Sequence, residues 1–465
     1  MSTEYDLVVW GAGPGGYVAA IRAAQLGLRT AVVEEDRAGG VCGNWGCIPS
    51  KALLSDAELY VEMKAAAARG IVAEGLRVDF GRVLDRSREV ADRQAKGVEF
   101  LFKKNRIAYH HGRGRLTKGG VVVTAAGRDP ETLAARHVLL ATGSAERTLP
   151  GLAIDGQVVQ SSREALADRK LPASVIVIGG GAVGVEFAYV YASFGAQVAV
   201  VEMAETLLPG MDADLGRELA RAFGRQKMTV LPGHRVERCT VRDGRAEVVV
   251  AAKEDSRSIE AERVLVAVGR EPRTADLGLE EAGVRTQKGH VVVDANMRTT
   301  AEGIYAVGDL VGPLQLAHAA SEQGVVAVEA IAGRRAETAP VDPTRIPMCV
   351  YCQPEVAAVG LTEAAARAQY ESVKVGKFPF RGLGRAMASG HVDGMVKVVV
   401  DGRYDAILGV HMIGHGVTEL IAEAGLALML EATTTEIIDT VHAHPTLAEA
   451  LREATLAAEG RAINS

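Results

Sequence analysis

A β-rich apolar run, YDLVVW (Tyr5 to Trp10), leads into the turn Gly11-x-Gly13-x-x-Gly16, then a helical stretch, then a second apolar strand ending on Glu34. The same succession returns later in the chain. In ASVIVIGGGAVGVEFAYVYASFGAQVAVVEM a strand precedes Gly179, Gly181 and Gly184, a helix follows, and the next strand ends on Glu202. In each copy the last glycine precedes the acid by 18 residues. Each copy also has a late partner, VLLATGS (138–144) and VLVAVGR (264–270), which reads as a further buried strand running into a glycine turn.

A lone Gly-x-Gly-x-x-Gly says little, but after a strand, before a helix and with an acid closing the next strand it has the context of a dinucleotide fold. The first glycine allows the tight turn, the second admits the pyrophosphate to the backbone, and the third lets helix and strand pack closely. The helix N-terminus offers N–H groups and positive dipole to phosphates, and Glu34 and Glu202 are placed to bind ribose hydroxyls. The repeat predicts an α/β chain that binds two dinucleotides. A further strand, in GIYAVGDLVG, ends in Gly308-Asp309 after the second unit has closed. A carboxylate there reaches sugar hydroxyls in the crevice at the strand ends. The simplest arrangement is a first nucleotide domain interrupted by the second and completed near Asp309.

Composition narrows the setting. The 465 residues are 48% hydrophobic and 24% charged, an ordinary globular balance. That length suits about three domains. The 52 glycines exceed the usual share of about 7%, as tight turns and close backbone approach to ligands require. A net charge of -6 without a long basic run argues against nucleic acid as the partner. The opening MSTEYDLVVW shows no export signal, and the most apolar stretch is glycine-rich and broken by Glu186, unlike a membrane span. The expectation is a cytoplasmic protein, where a close cysteine pair is more often catalytic or metal-binding than structural.

Such a pair stands in GGVCGNWGCIPSKALL (39–54) as Cys42 and Cys47. In a regular helix that separation puts the Cα atoms roughly 8–9 Å apart, beyond the roughly 7 Å limit of an unstrained disulfide. The segment must bend or unwind to be bridged, and Gly43 and Gly46 lower the cost. Inert thiols and a metal clip remain alternatives, although no nearby His or second CxxC completes a four-ligand site, and no metal is expected. Lys51 supplies a positive charge suited to a thiolate. Near the other end, IDTVHAHPTLAEALREA holds His442, His444, Pro445 and Glu449. Thiol–disulfide exchange needs a base, and a histidine held by a carboxylate suits that task.

Together these stretches resemble the pyridine nucleotide–disulfide oxidoreductases, and among them the branch that oxidises dihydrolipoamide with NAD+. The likeness runs from GAGPGG through GGVCGNWGCIPSKALL, ATGS, GGGAVGVEFAYVYASFG, VAVGREP, IYAVGDLVG, LAHAASEQG and PEVAAVGLTE to HAHPTLAEA. It implies two Rossmann-like domains, the NAD domain inserted in the FAD domain, and a C-terminal α+β dimerisation domain. The expected boundaries are 1–150 for FAD, 151–270 for NAD, 271–340 for a central domain that completes the first, and 341–465 for the interface. The resemblance implies a homodimer with one FAD held tightly, without a covalent bond, per subunit. Cys42 would exchange with the substrate dithiol and Cys47 would sit against the flavin. His444, contributed by the other subunit, would be the base, oriented by Glu449, with Lys51 and Glu186 a charged pair on the nicotinamide side. Gly11, Gly13, Gly16, Glu34, Gly40, Lys51, Gly114, Thr142, Gly143, Ser144, Asp309 and Ala317 would contact FAD. Gly179, Gly181, Gly184, Glu202, Val236 and Gly269 would contact NAD. With no lipoyl domain of its own, the chain would meet lipoyl groups on another protein, the E2 core of a 2-oxo-acid dehydrogenase complex or a lipoylated H-protein.

Glu202 discriminates among relatives: a carboxylate on the ribose repels the 2′-phosphate of NADP, and VEMAET offers no arginine. The ending AAEGRAINS lacks the C-terminal cysteines of mercuric-reductase-like and high-molecular-weight thioredoxin-reductase-like members. Another disulfide reductase of the family, or an FAD-bound redox sensor, is the alternative. Two features depart from the family pattern. Gly43 replaces an aliphatic residue and is expected to loosen the cysteine segment. Cys349 and Cys352 form a CxxC outside the catalytic scheme, read first as two small buried residues.

Overall fold

The computed structural model describes residues 4–252, 255–312, 314–334 and 341–464. They fall into two units, Met1–Ala52, Arg82–Arg147 and Gly269–Asp342 in the first, and Leu53–Gly81, Thr148–Val268 and Pro343–Ser465 in the second.

The first unit is built on one sheet: β1 (Glu4–Trp10), β2 (Thr30–Glu34), β3 (Ala108–His111), β4 (Arg113–Thr117), β5 (Gly120–Thr124) and β6 (Glu131–Leu140), ordered β3-β2-β1-β6-β5-β4. Pairing is parallel from β3 to β6, and antiparallel between β6, β5 and β4. Strand Ile304–Ala306 returns to pair in parallel with the end of β6, so the sheet is completed after the whole second nucleotide fold. The unbroken apolar run of β1 follows from burial on both faces. Leu7 and Val9 enter one core with Leu139 and Val326, while Tyr5, Val8 and Trp10 enter the other with Val33 and Leu140. Helix α1 (Pro14–Gln25) buries Ala19, Ala20 and Ala23. It packs closely on helix Ala317–Ile331, where a Cβ on Gly324 would fall 2.5 Å from the Gly15 oxygen.

The second unit holds a five-stranded parallel sheet in the order Thr229–Leu231, Gln197–Val201, Ser174–Ile178, Arg263–Val266, Val159–Gln160. The strand expected to end on Glu202 ends one residue earlier, at Val201. A three-stranded antiparallel sheet (235–261) follows. The C-terminal part is a five-stranded antiparallel sheet, ordered Met348–Val350, Glu355–Gly360, Ile407–Gly414, Met395–Asp401, Val373–Pro379. Its core joins Phe378, Val396, Val398, Val410 and Met412 to Ile421 and Ala424 of helix Val417–Met429 and to Leu451 and Ala454 of helix Glu449–Ala458. Two Rossmann-like folds, the second inserted in the chain of the first, and an α+β C-terminal region make up the predicted architecture. Among the described residues no helix is long and apolar enough to cross a membrane.

Candidate active site

The two glycine turns are built alike. Gly11 and Gly179 take φ of +110° and +107°, and a Cβ on either would fall 2.2 Å from a backbone oxygen, of Ala141 and of Ala267. A Cβ on Gly16 or Gly184 would fall 1.9 Å from the oxygen of Gly11 or Gly179. Gly13 and Gly181 cap the following helices, and among the described residues neither first turn carries an acid or a side-chain cap. The first-turn N–H groups and the helix dipole are thereby left to an anion.

The two acids also correspond. Glu34 accepts from the Ala12 amide (2.8 Å) and the Asp36 amide (2.9 Å). Glu202 accepts from the Gly180 amide (2.7 Å) and the Ala204 amide (2.7 Å). Each oxygen keeps a second lone pair for a sugar hydroxyl. Burial raises the Glu34 carboxyl above its ordinary range, against the pull of the Asp36 and Ala12 amides.

Of the other predicted cofactor positions, Thr142, Gly143, Ser144 and Asp309 lie just past the ends of β6 and of strand Ile304–Ala306. Thr142 donates to the Arg273 carbonyl (3.1 Å), and the Gly143 carbonyl accepts from the Arg273 amide (2.9 Å). Ser144 donates to Asp309 and accepts from Arg270 Nε at 2.7 Å. Asp309 lies in a single 3₁₀ turn, Gly308–Leu310, because the strand before it stops at Ala306. Ala317 opens helix Ala317–Ile331. Gly114 stands against Trp10, where a Cβ would fall 2.6 Å from the indole. Val236 sits beside a bulge in strand Arg235–Arg242. Gly269 marks the return of the chain to the first unit, its carbonyl accepting from the Arg147 amide at 3.0 Å.

Helix α2 (Gly40–Trp45) begins hard against the first turn: a Cβ on Gly40 would fall 2.6 Å from the Gly13 Cα. It stops at Gly46, with φ -146° and ψ -112°, and α3 (Cys47–Ala65) starts at the next residue. The helical path is thus broken between the two cysteines, as their bridging requires. Gly43 lies within α2, its amide bonded to the Gly39 carbonyl at 3.0 Å. A hydrogen bond to Cys47 raises the Cys42 thiol well above its usual range, burial adds to this, and the charge of Lys51 pulls the other way. Lys51 follows Cys47 by one helical turn, on the same face of α3.

Residues that the sequence did not single out hold this segment. Buried Asn44 donates to the carbonyls of Ala38 (2.9 Å) and Gly40 (3.0 Å). Trp45 donates to Asp36 at 2.9 Å and lies under the Arg88 guanidinium. Ser87, in α4 (Phe80–Lys104), donates to the Pro49 carbonyl at 2.9 Å. Asn-x-Gly-Cys gives no local signal for these bonds, since their partners are backbone carbonyls and distant side chains.

In the second unit, Glu186 is buried on helix Ala182–Phe194 and accepts from the Tyr351 amide at 3.0 Å. Cys352 is fully buried and Cys349 packs partly on the C-terminal core, in line with small buried residues. Between helices Thr434–Asp439 and Glu449–Ala458, His444 Nδ1 lies 2.9 Å from Glu449 Oε1. The other oxygen of that carboxylate accepts from the Thr446 amide at 2.9 Å. Burial would raise the Glu449 carboxyl, but the Thr446 amide, the His444 bond and the charges of His444 and His442 outweigh it and hold it below the ordinary range. Among the described residues no three His, Cys, Asp or Glu side chains are grouped to hold a metal ion.

Residues 5–324 match the pyridine nucleotide-disulphide oxidoreductase family and residues 346–455 match its dimerisation domain. The chain belongs to the pyridine nucleotide-disulphide oxidoreductase family. It is 44% identical to dihydrolipoyl dehydrogenase of Bacillus subtilis over the whole of both chains. It is also 44% identical to that of Mycobacterium tuberculosis, over 99% of this chain and 100% of the relative. Among solved structures, LpdA from Mycobacterium tuberculosis superposes with a TM-score of 0.89 at 28% identity, covering 97% of this chain and 99% of that one. The HOCl-induced flavoprotein disulfide reductase RclA from Escherichia coli superposes with a TM-score of 0.85 at 26% identity, with the same coverage. The pyridine nucleotide-disulphide oxidoreductase match ends within helix Ala317–Ile331, and the dimerisation match spans the C-terminal sheet, the turn that holds His444 and the helix start at Glu449.

Proposed function

We propose that the protein acts as a dihydrolipoyl dehydrogenase, oxidising dihydrolipoamide to lipoamide with NAD+ as acceptor. The observation that carries this reading is the contact of Cys42 with Cys47 across the helix break at Gly46, in a family member whose full-length relatives bear that name. The family uses FAD and NAD(H). Each glycine turn fits a pyrophosphate, since a Cβ would fill the cradle and the helix N-terminus behind it faces the charge. FAD would be held by the first unit, with Glu34 available to its ribose and Gly40, Gly114, Thr142, Gly143, Ser144, Asp309 and Ala317 as its further contacts. NAD+ would be held by the second, with Glu202 available to its ribose and Val236 in the same unit.

The chemistry begins from the Cys42–Cys47 disulfide. His444, from the second subunit of a dimer, takes a proton from one substrate thiol, and the thiolate attacks Cys42 Sγ. The Cys42–Cys47 bond breaks and Cys47 leaves as a thiolate, which the Lys51 ammonium favours. The second substrate thiol then displaces Cys42, closing lipoamide, so that two electrons and two protons pass to the protein. Bound FAD supplies the two-electron link between the cysteine dithiol and NAD+. Glu449 keeps the Nδ1 proton of His444 in place so that Nε2 is the accepting atom. Glu186, buried in the second unit, would supply a carboxylate toward the nicotinamide of bound NAD+.

Residues 1–150 with 271–340 form the FAD-binding part, 151–270 the NAD-binding part and 341–465 the dimer interface in this reading. Residues 335–340 lie outside the described residues. Exposed Leu426, Met429 and Leu430, spaced to share one face of helix Val417–Met429 and its end, support a covered homodimer surface. The lipoyl group arrives on a partner, an E2 core or a lipoylated H-protein, in the cytoplasm. Steady-state turnover of dihydrolipoamide by the FAD-loaded protein tests the reading: it predicts fast NADH formation and little with NADP+. Bound FAD without turnover by either nucleotide would reject it.

A further inference from the structure

The two histidines of HAHPT differ in their surroundings. The side chain of His444 is 77% exposed within its own chain, and Glu449 is the side chain that holds it. That of His442 is 5% exposed and bonded at both ring nitrogens. Its Nε2 lies 2.9 Å from Glu423 Oε1 on helix Val417–Met429, and its Nδ1 lies 3.0 Å from the Thr440 carbonyl oxygen. Both partners accept, so the two bonds are made together only when both ring nitrogens carry hydrogen. A carboxylate facing such a ring forms a charge-assisted bond, stronger than a neutral one.

We propose that His442, held by Glu423, is a positioning residue for the base His444. The argument is mechanical. Thr446 Oγ1 donates to the Ala443 carbonyl (2.7 Å) and the Thr446 amide to Glu449 (2.9 Å), so residues 443–449 form one turn with the His444–Glu449 pair as part of it. One end of that turn is fixed by helix Glu449–Ala458. The other end is reached through His442, whose bond to Glu423 ties it to a helix that buries Ile421 and Ala424 in the core. An exposed base has little packing of its own to hold it, so its place depends on these two anchors. His442 acts on the dyad by charge as well: it is among the groups that keep the Glu449 carboxyl low. Among the described residues, Glu423 meets it from its neighbouring helix and the Glu449 carboxyl of its own turn feels its charge.

The proposal rests on the lipoamide reading, and the experiment separates the two. FAD-loaded wild type, His442→Gln, Glu423→Gln and the double variant are compared in two assays over pH 5.5–9. One is oxidation of dihydrolipoamide by NAD+; the other is NADH-driven reduction of a one-electron dye, which does not call on the base. The expected result is a kcat for dihydrolipoamide about 10- to 100-fold lower in each single variant, the size of effect that a displaced catalytic group produces. The KM for NAD+ and the dye rate stay unchanged, and the pH profile of kcat is displaced. The double variant is no worse than either single, because the two residues act through one bond. An active wild type with His442→Gln matching it in kcat and pH profile overturns the proposal. So does a dye rate that falls in step with kcat, which marks His442 as a general support of the fold. An inactive wild type rejects the lipoamide reading instead.

Discussion

His444 Nδ1 stands 2.9 Å from Glu449 Oε1, and Glu449 opens the helix Glu449–Ala458 that packs on the C-terminal sheet. The imidazole is therefore held by a carboxylate on a rigid element, the arrangement that fixes a tautomer and leaves Nε2 as the proton acceptor.

Removing the ring removes the base. His444→Ala is expected to lower kcat for dihydrolipoamide by ~10²–10⁴-fold with bound FAD retained, measured by NADH formation at saturating substrate. Glu449→Gln leaves an acceptor for the Thr446 amide but loses the charge, and a smaller loss is expected. The sign of the pH dependence follows from the depressed Glu449 carboxyl. Its ionised form, and the orientation it imposes, persists through the ordinary glutamate range near ~4.3 and is lost only as pH falls further. Dithiol–disulfide exchange monitored between pH 4 and 6 should show no inflection from this group.

Glu202 is bonded twice to its own turn, through the Gly180 and Ala204 amides. Glu202→Ala leaves those amides unpaired and removes the repulsion of a 2′-phosphate. The KM for NAD+ should rise ~10- to 100-fold, from charged hydrogen bonds of about 1.5–3 kcal/mol. The preference for NAD+ over NADP+ should narrow in the same assays. An unchanged nucleotide ratio would place discrimination elsewhere.

Lys397 is 2% exposed in strand Met395–Asp401 and meets Asp212 (2.8 Å), Asp214 (2.7 Å) and Glu363 (2.8 Å). Breaking such a buried network leaves uncompensated charge, so Lys397→Met should cost roughly 3–5 kcal/mol of unfolding free energy, read by denaturant titration at pH 7. Burial would raise Asp212 and Asp214, but Lys397 and the other donors hold both low. Stability from carboxylates depressed in the folded state is present above their unfolded value, near ~3.9, and lost as pH falls through the folded one. The difference between wild type and variant should therefore shrink in acid.

The repeated nucleotide fold was legible because its demands are local. Gly11, Gly16, Gly179 and Gly184 stand where any side chain would strike backbone, and both acids follow their turns at one spacing. The cysteine segment was legible for the same reason, and its break fell at Gly46 as the bridging distance required. Lys397 is one polar residue in an apolar strand, and its partners lie up to 185 residues away. Glu423 and His442, 19 residues apart, meet only once the turn that holds His442 packs on helix Val417–Met429. Such side-chain bonds between elements leave no period in the sequence.

The most direct test of the central claim follows the two sulfurs. The oxidised, FAD-loaded protein is mixed anaerobically with dihydrolipoamide without NAD+, alkylated with iodoacetamide and digested, and the modified cysteines are identified by mass spectrometry. The account predicts that Cys42 and Cys47 resist alkylation before mixing and that Cys42 becomes labelled afterwards, in step with lipoamide formation. Lipoamide formation with Cys42 and Cys47 labelled equally before and after would contradict it.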